Sequence, residues 1–291
     1  MIRHLYITLL LFVLSVHCVA QTKRALVIGL GEQQDKEWSK INGDKDIAYV
    51  VEYLRNGGYK RIRTLANKHA TKKGIVTAFQ TLSKECQRGD IIYIHFSGHG
   101  QQMKDVNGDE HDGLDECWIP YDAYKSPCDK DHGEKHLSDD EINVLLKNIR
   151  GKIGLNGKIL VVVDACHSGD SSRSPDDEVI RGVTNVFDTV IEKIKRKFIV
   201  SSSSLGNEST NEELWITVSA CKSNELNAEL KTPSVGKLTY AISQMLVGGK
   251  AIENNAIEKE IKRFVNLNSR RPQTPVISGE KGKYNIIDIL R

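Results

Sequence analysis

Apolar runs at residues 24–30, 61–65, 90–96, 159–163, 197–202 and 215–220 read as short strands, with a weaker one near 284–288. Between them, apolar positions recur every three or four residues near 45–56, 72–87, 138–149, 236–247 and 255–267, which predicts amphipathic helices. Strands alternating with helices argue for an α/β fold, a mostly parallel central sheet with helices on both faces. Two stretches break the rhythm: an acidic loop from Asp105 to Glu116, and a polar stretch from Asp170 to Arg181 that extends to Glu213. The Ser201 to Ser204 tract reads as a strand end or loop rather than an interdomain linker, and there is no internal repeat or heptad pattern.

With 291 residues and 39% apolar composition, the chain is long enough for one large α/β domain or two small ones. The first twenty residues differ from the rest. Arg3 and His4 precede an apolar stretch from Leu5 to Val16, and Cys18-Val19-Ala20 follows before Gln21, the pattern of a cleavable secretory signal. The apolar stretch is short for a membrane span, although an uncleaved anchor stays open. His17 stands where a lipoprotein signal through Cys18 would want a small residue. The expectation is export, periplasmic or secreted, with cleavage after Ala20 and no membrane association afterwards. A net charge of +3 without a basic stripe and interleaved aromatics gives no reason to invoke nucleic acid. The basic cluster from Lys193 to Lys197 reads as a solvated face. Loss of Cys18 with the signal leaves Cys86, Cys117, Cys128, Cys166 and Cys221, an odd set with at least one free thiol. Cys166 is the natural candidate for it, while Cys117 and Cys128 read equally as a disulfide or as reduced cysteines.

Two strands end in glycine-flanked polar residues. The first runs Ile91-Ile92-Tyr93-Ile94-His95-Phe96-Ser97-Gly98-His99-Gly100, the second Ile159-Leu160-Val161-Val162-Val163-Asp164-Ala165-Cys166-His167-Ser168-Gly169. Ligands bind at the carboxyl ends of strands in open α/β sheets, and a thiol with an imidazole there is the minimum for nucleophilic acyl transfer. The imidazole lowers the thiol pKa and later protonates the leaving amine. Backbone N–H groups of Gly100 and Cys166 are the candidate oxyanion donors. A phosphatase loop is excluded, because it needs Arg six positions after the Cys, where Ser172 stands, with Arg173 one residue late. His95 reads as a strand residue, and His167 as a neighbour with no proton-transfer role.

These two segments, in this order, resemble the caspase-like cysteine peptidases, most closely the metacaspase and bacterial metacaspase-like branch. The resemblance runs from about Lys23 to the end and takes in Asp46 within Asn42-Gly43-Asp44-Lys45-Asp46-Ile47-Ala48, the acidic loop, and Ser138-Asp139-Asp140-Glu141. It also includes Trp215-Ile216-Thr217-Val218-Ser219-Ala220-Cys221 and Gly236-Lys237-Leu238-Thr239. True caspases carry Gln two residues before the Cys and a His about 50 residues upstream. Here Asp164 takes that place, a metacaspase trait, and His99 lies 67 residues before Cys166. The resemblance implies a caspase-like sandwich and a monomer. It implies one peptidase domain over 21–291: a large-subunit-like part at 21–169 holding the dyad, a variable linker at 170–213, and a small-subunit-like part at 214–291.

It further implies that Asp46 and Asp164 line the pocket for the residue before the cleaved bond, where carboxylates pair with guanidinium or ammonium. Substrates would then be proteins or peptides with Arg or Lys at the cleaved position. From the residues alone, Asp164 also reads as a strand-end hydrogen-bond acceptor and Asp46 as a helix N-cap or first-turn acid. Asp115, Asp139 and Asp140 match positions that hold an activating calcium, the cofactor implied; Asp170 is only a loose counterpart of a further family aspartate. Asp105, Asn107, Asp109 and Glu116 fall at EF-hand-like spacing, but Glu110 occupies the required glycine. A plain solvated acidic loop explains that stretch equally well. The polar stretch carries Arg173, Arg181, Lys193, Lys195, Arg196 and Lys197, so an enzyme cutting after basic residues would meet its own chain there. Two alternatives stand beside this reading: a clostripain- or gingipain-like peptidase with the same dyad, and a catalytically silent caspase-like module that binds calcium or a partner.

Overall fold

The computed structural model describes residues 21–105, 113–166, 179–183, 186–187, 214–247, 254–267, 272–280 and 284–291. Five strands, β1 (Lys23–Gly29), β2 (Arg61–Ala66), β3 (Ile91–Ser97), β7 (Lys158–Asp164) and β8 (Ile216–Ser219), lie parallel in the central sheet. An antiparallel edge strand, β11 (Val276–Gly279), completes the order β11-β8-β7-β3-β1-β2. Between β3 and β7 the chain makes a small antiparallel sheet of β4 (Gly100–Lys104), β5 (Leu114–Trp118) and β6 (Leu137–Ser138). A two-stranded ribbon, β9 (Glu229–Leu230) with β10 (Val235–Gly236), precedes the last helices.

Alternation along the strands makes two cores. Ala25 and Val27 of β1, Ile91 and Tyr93 of β3, and Leu160 and Val162 of β7 face α1 (Gly43–Asn56), α4 (Lys237–Val247), α5 (Asn254–Val265) and α6 (Ile286–Leu290). Their neighbours Leu26, Ile28, Ile92, Ile94, Ile159 and Val161 face α2 (Lys72–Glu85) and α3 (Asp139–Ile153). Sheets covered on both faces read as near-continuous apolar runs, which is why these strands stand out in the sequence. Local signals set the helix starts: Thr71 caps α2, and Ser138 with Glu141 forms a reciprocal capping box on α3.

The expected strand near 284–288 is a helix instead. Asn285 accepts a hydrogen bond from the Ile287 N–H and starts α6, whose Ile286, Ile287, Ile289 and Leu290 are buried. Its β-branched composition imitates a strand, while the cap decides the outcome. The sheet edge is supplied by β11, and the predicted strand at 197–202 lies outside the described residues. Cys117 and Cys128 are free thiols, as are Cys86, Cys166 and Cys221.

At the amino ends of the strands, Arg24 and Asp90 form a buried pair, Nε to Oδ2 at 2.7 Å, and Asp90 also accepts from the Thr22 and Gln87 N–H groups. This end of the sheet lies opposite the chemistry. Asp90→Ala leaves the Arg24 guanidinium buried without its partner and should cost about 3–5 kcal/mol. Urea unfolding with an unchanged m value checks this; a loss below about 1 kcal/mol would show that the pair is not structural.

Candidate active site

The register of β3 and β7 pairs Ser97 with Asp164, so the two strands leave the sheet at the same level. His99 and Cys166 each follow two residues later, on adjacent strands about 4.8 Å apart. Both are buried, at 0% and 1% exposure. His99 Nε2 lies 2.8 Å from the Ser39 carbonyl, and since a carbonyl only accepts, that nitrogen carries the proton. Nδ1 is left with its lone pair and no hydrogen-bond partner among the described residues. Trp38 lies against the imidazole, ring centroids 4.9 Å apart, and is held by its own N–H bond to the Ala123 carbonyl. Burial lowers the His99 pKa to about 4, so the ring is neutral at neutral pH. Cys166 Sγ donates to the Glu225 carbonyl at 2.6 Å, and Cys221 Sγ contacts the same oxygen at 3.5 Å.

Beside the dyad lies a buried acidic pocket, and it is full. Asp46 from the first turn of α1, Asp164 from the end of β7 and Glu229 from β9 surround the guanidinium of Arg181, which is 0% exposed. Arg181 Nη1 stands 2.7 Å from Asp46 Oδ2 and 3.4 Å from Asp164 Oδ1, while Nε stands 2.9 Å from Glu229 Oε1. The acids are themselves held. The side-chain amide of Asn227 and the backbone and hydroxyl of Thr239 donate to Asp164, and the Gly236 N–H donates to Asp46. Asn42 donates to Glu229 through both backbone and side chain. Gly236 forms the wall: a Cβ there would stand 2.2 Å from Asp164 Oδ2 and 2.5 Å from Arg181 Nη1.

Backbone contacts thread the same segment past the thiol. The Arg181 carbonyl accepts from the Cys166 N–H at 2.8 Å, and the Arg181 N–H donates to the Asn227 carbonyl at 2.9 Å. Gly182 bridges to Gly100, and a Cβ on Gly182 would stand 2.3 Å from the Cys166 carbonyl oxygen. The Cys166 N–H thus has the geometry expected of an oxyanion donor.

Charge in the pocket is finely set. Burial raises the Asp46 carboxyl to about 6, with Arg181 opposing and Asp164 adding to the rise. Burial pushes Asp164 up as well, but Arg181 and the bonds from Asn227 and Thr239 outweigh it and hold this carboxyl below its usual range. His95 is not only a strand residue. It joins Tyr53, Tyr93, Ser97 and Thr239 in one buried hydrogen-bonded chain, and burial lowers its pKa to about 3, so it stays neutral.

Sequence reasoning named His99, Cys166, Asp46, Asp164 and Gly100, and the fold brings all five to one edge of the sheet. It missed Glu229 and Asn227, which come from a ribbon and a loop with no motif of their own, and it gave no role to Thr239 at the start of α4, although the segment Gly236-Lys237-Leu238-Thr239 is part of the resemblance. His167 and Asp170 lie outside the described residues, as do Asn107 and Asp109. Asp115 and Asp139 are like charges close together on β5 and α3: burial, then Asp115, pushes the Asp139 carboxyl up to about 8.

A parallel sheet with one antiparallel edge, covered on both faces, with imidazole and thiol ending adjacent strands, defines a caspase-like α/β protein. A model of the metacaspase peptidase C14 domain matches residues 23–175, and the chain belongs to the metacaspase family. It is 35% identical over 165 residues to Metacaspase-1B of Aspergillus fumigatus, covering 53% of this chain and 37% of that protein. It is 32% identical over 155 residues to Metacaspase-2 of Arabidopsis thaliana, covering 50% of this chain and 34% of that one. The chain therefore spans about a third of the length of these curated relatives. The crystal structure of protein GSU0716 from Geobacter sulfurreducens shares the fold, with a TM-score of 0.64 and 22% identity over 92% of this chain and 96% of that one.

The raised pKa of Asp46 makes a stability prediction. Its folded carboxyl binds a proton more tightly than the ordinary group at 3.8, so its contribution is fully present below that value and lost as pH rises through about 6. In a Cys166→Ala chain, kept uncut, this loss should be about 1–3 kcal/mol between pH 4 and pH 7. Asp46→Asn should flatten that slope in urea titrations; an identical slope in both chains would contradict the assignment.

Proposed function

We propose that the protein is a cysteine endopeptidase that cuts after arginine or lysine, and that the Arg181–Gly182 bond of its own chain is one of its substrates. The observation that carries this is the pose of Arg181: guanidinium among three carboxylates, carbonyl on the Cys166 N–H, and Gly182 against the nucleophile. A merely structural arginine would satisfy the acids without placing its carbonyl on the Cys166 N–H.

In this mechanism the neutral His99 takes the Cys166 thiol proton on Nδ1. The thiolate attacks the arginyl carbonyl carbon, and the oxyanion that forms rests on the Cys166 N–H. The imidazolium then gives its proton to the departing amine, and water, deprotonated by His99, releases the acyl group from sulfur. Arginine suits the pocket better than lysine, because the acids address Nε and Nη1 from different directions, and an ammonium is a single point charge.

Calcium enters as an activator. The crowding of Asp115 and Asp139 supports this, since a divalent cation relieves like-charge repulsion and takes carboxylate oxygens. The two fit such an ion in donor chemistry but are fewer than the roughly six oxygens it needs, and among the described residues no group of three or more His, Cys, Asp or Glu could hold a metal. Asp140, the third acid of the expected set, follows Asp139 in the first turn of α3. Export with removal of residues 1–20 is the localisation proposed; it rests on the sequence pattern. Among the described residues no helix is long and apolar enough to cross a membrane.

Wild-type protein should yield a fragment starting at Gly182, seen by mass spectrometry, and Cys166→Ala or His99→Ala should yield none. Loss of a member of such a unit costs on the order of 10³-fold or more. Fragments that appear equally in wild type and Cys166→Ala would end the self-processing reading. In matched fluorogenic peptides with Arg, Lys, Asp or Leu at the cleaved position, Arg should lead and Asp fail. Asp164→Asn should lower kcat/KM for Arg by a factor on the order of 10–10³. Efficient cleavage after Asp would show that the pocket is misassigned.

A further inference from the structure

Resting on the cleavage reading, we propose that the enzyme also reads its substrate beyond the cleaved bond, through an apolar pocket that takes the second and sixth residues on the leaving-group side. With the Arg181 carbonyl on the Cys166 N–H, everything after Arg181 lies on that side. Two isolated parallel bridges then tie described residues of this segment to β4. Gly182 bridges to Gly100, Phe187 bridges to Met103, and the Phe187 N–H donates to the Gln102 carbonyl at 2.8 Å. Such main-chain contacts beside side-chain pockets are the elements of peptide recognition at a sheet edge, where main-chain bonds supply affinity and side-chain pockets supply selectivity.

The side chains that enter are apolar and well covered. Val183 is 4% exposed and Phe187 is 1% exposed, and both belong to a cluster with Trp38, Met103, Ile119 and Ala123 that is separate from the two cores flanking the sheet. The His136 ring lies 4.3 Å from that of Phe187, centroid to centroid, and is neutral because burial lowers its pKa to about 3. Trp38 serves twice, since its ring also lies against the catalytic imidazole. The pocket therefore begins at the base and extends along the path that the leaving segment must take. Full burial of a Phe side chain is worth enough to discriminate substrates. Selection for a valine-sized second residue and an aromatic sixth residue would add to the basic residue at the cleaved position.

The test uses the full chain carrying Cys166→Ala, Arg181→Ala, Val183→Ser and Phe187→Ser, which cannot cut and whose own segment no longer fills the acidic or the apolar pocket. Fluorescence anisotropy follows a labelled peptide of residues 179–187, Val-Ile-Arg-Gly-Val-Thr-Asn-Val-Phe, and its variant with Ala in place of Phe. The native peptide should bind saturably, and the variant on the order of ten-fold more weakly. Equal affinities, or no saturable binding of either peptide, would overturn the proposal. Should the quadruple variant fail to fold, Phe187→Ser in an otherwise wild-type chain gives the same comparison through kcat/KM on quenched forms of the two peptides. Hydrolysis of an arginyl coumarin, which has no residues beyond the cleaved bond, reads the dyad and acidic pocket alone. Its failure would speak against the peptidase reading, whereas the binding ratio needs no chemistry.

Discussion

A guanidinium fully buried among three carboxylates is the constraint on which the site depends. Removing these charges from solvent costs several kcal/mol for each ion, and only close pairing with further hydrogen bonds offsets that. The acids come from α1, β7 and β9, and their supports come from the loop before β9 and the start of α4. Early and late parts of the chain are thus tied together through one cation. A network of this kind would be an odd way to gain stability alone, since apolar packing achieves it more simply. Its geometry suits recognition, because each acid is held by donors independent of Arg181.

The covered site and its chemistry are physically linked. With residues 179–183 in place, His99 and Cys166 are both buried, and burial keeps the imidazole neutral. Separating charge between them would be costly in that environment, and departure of the segment would rehydrate both groups and ease it. The Cys166 N–H is spoken for by the Arg181 carbonyl in the covered state and becomes available for another substrate only when that carbonyl leaves.

Much of the fold is legible in the sequence because its strands are buried on both faces and its helices carry one apolar stripe. Where the reading fails, a local cap or a short element is responsible: Asn285 turns an Ile-rich stretch into a helix, and β4, β5 and β6 are too short and mixed to announce themselves. Dyad and pocket acids are legible because glycine-flanked polar residues end apolar strands and because Asp164 sits next to the nucleophile's turn. Glu229 and Asn227 are not, since their roles come from the return of distant chain to the sheet edge. Arg181 is one basic residue among several in a polar stretch, and only tertiary contacts single it out.

Chemical rescue tests most directly whether the acidic pocket is a site for an exchangeable arginine side chain. In a chain carrying Cys166→Ala and Arg181→Ala, the carboxylates lose their cation, and N-acetyl-arginine amide should refill the pocket. Thermal unfolding should then rise saturably with that compound, as binding to the folded state alone requires. Acetyl-citrulline amide, the same shape without charge, should do nothing, and the chain retaining Arg181 should not respond. A rise in both chains, or in neither, would contradict the claim that Arg181 occupies the substrate's own pocket.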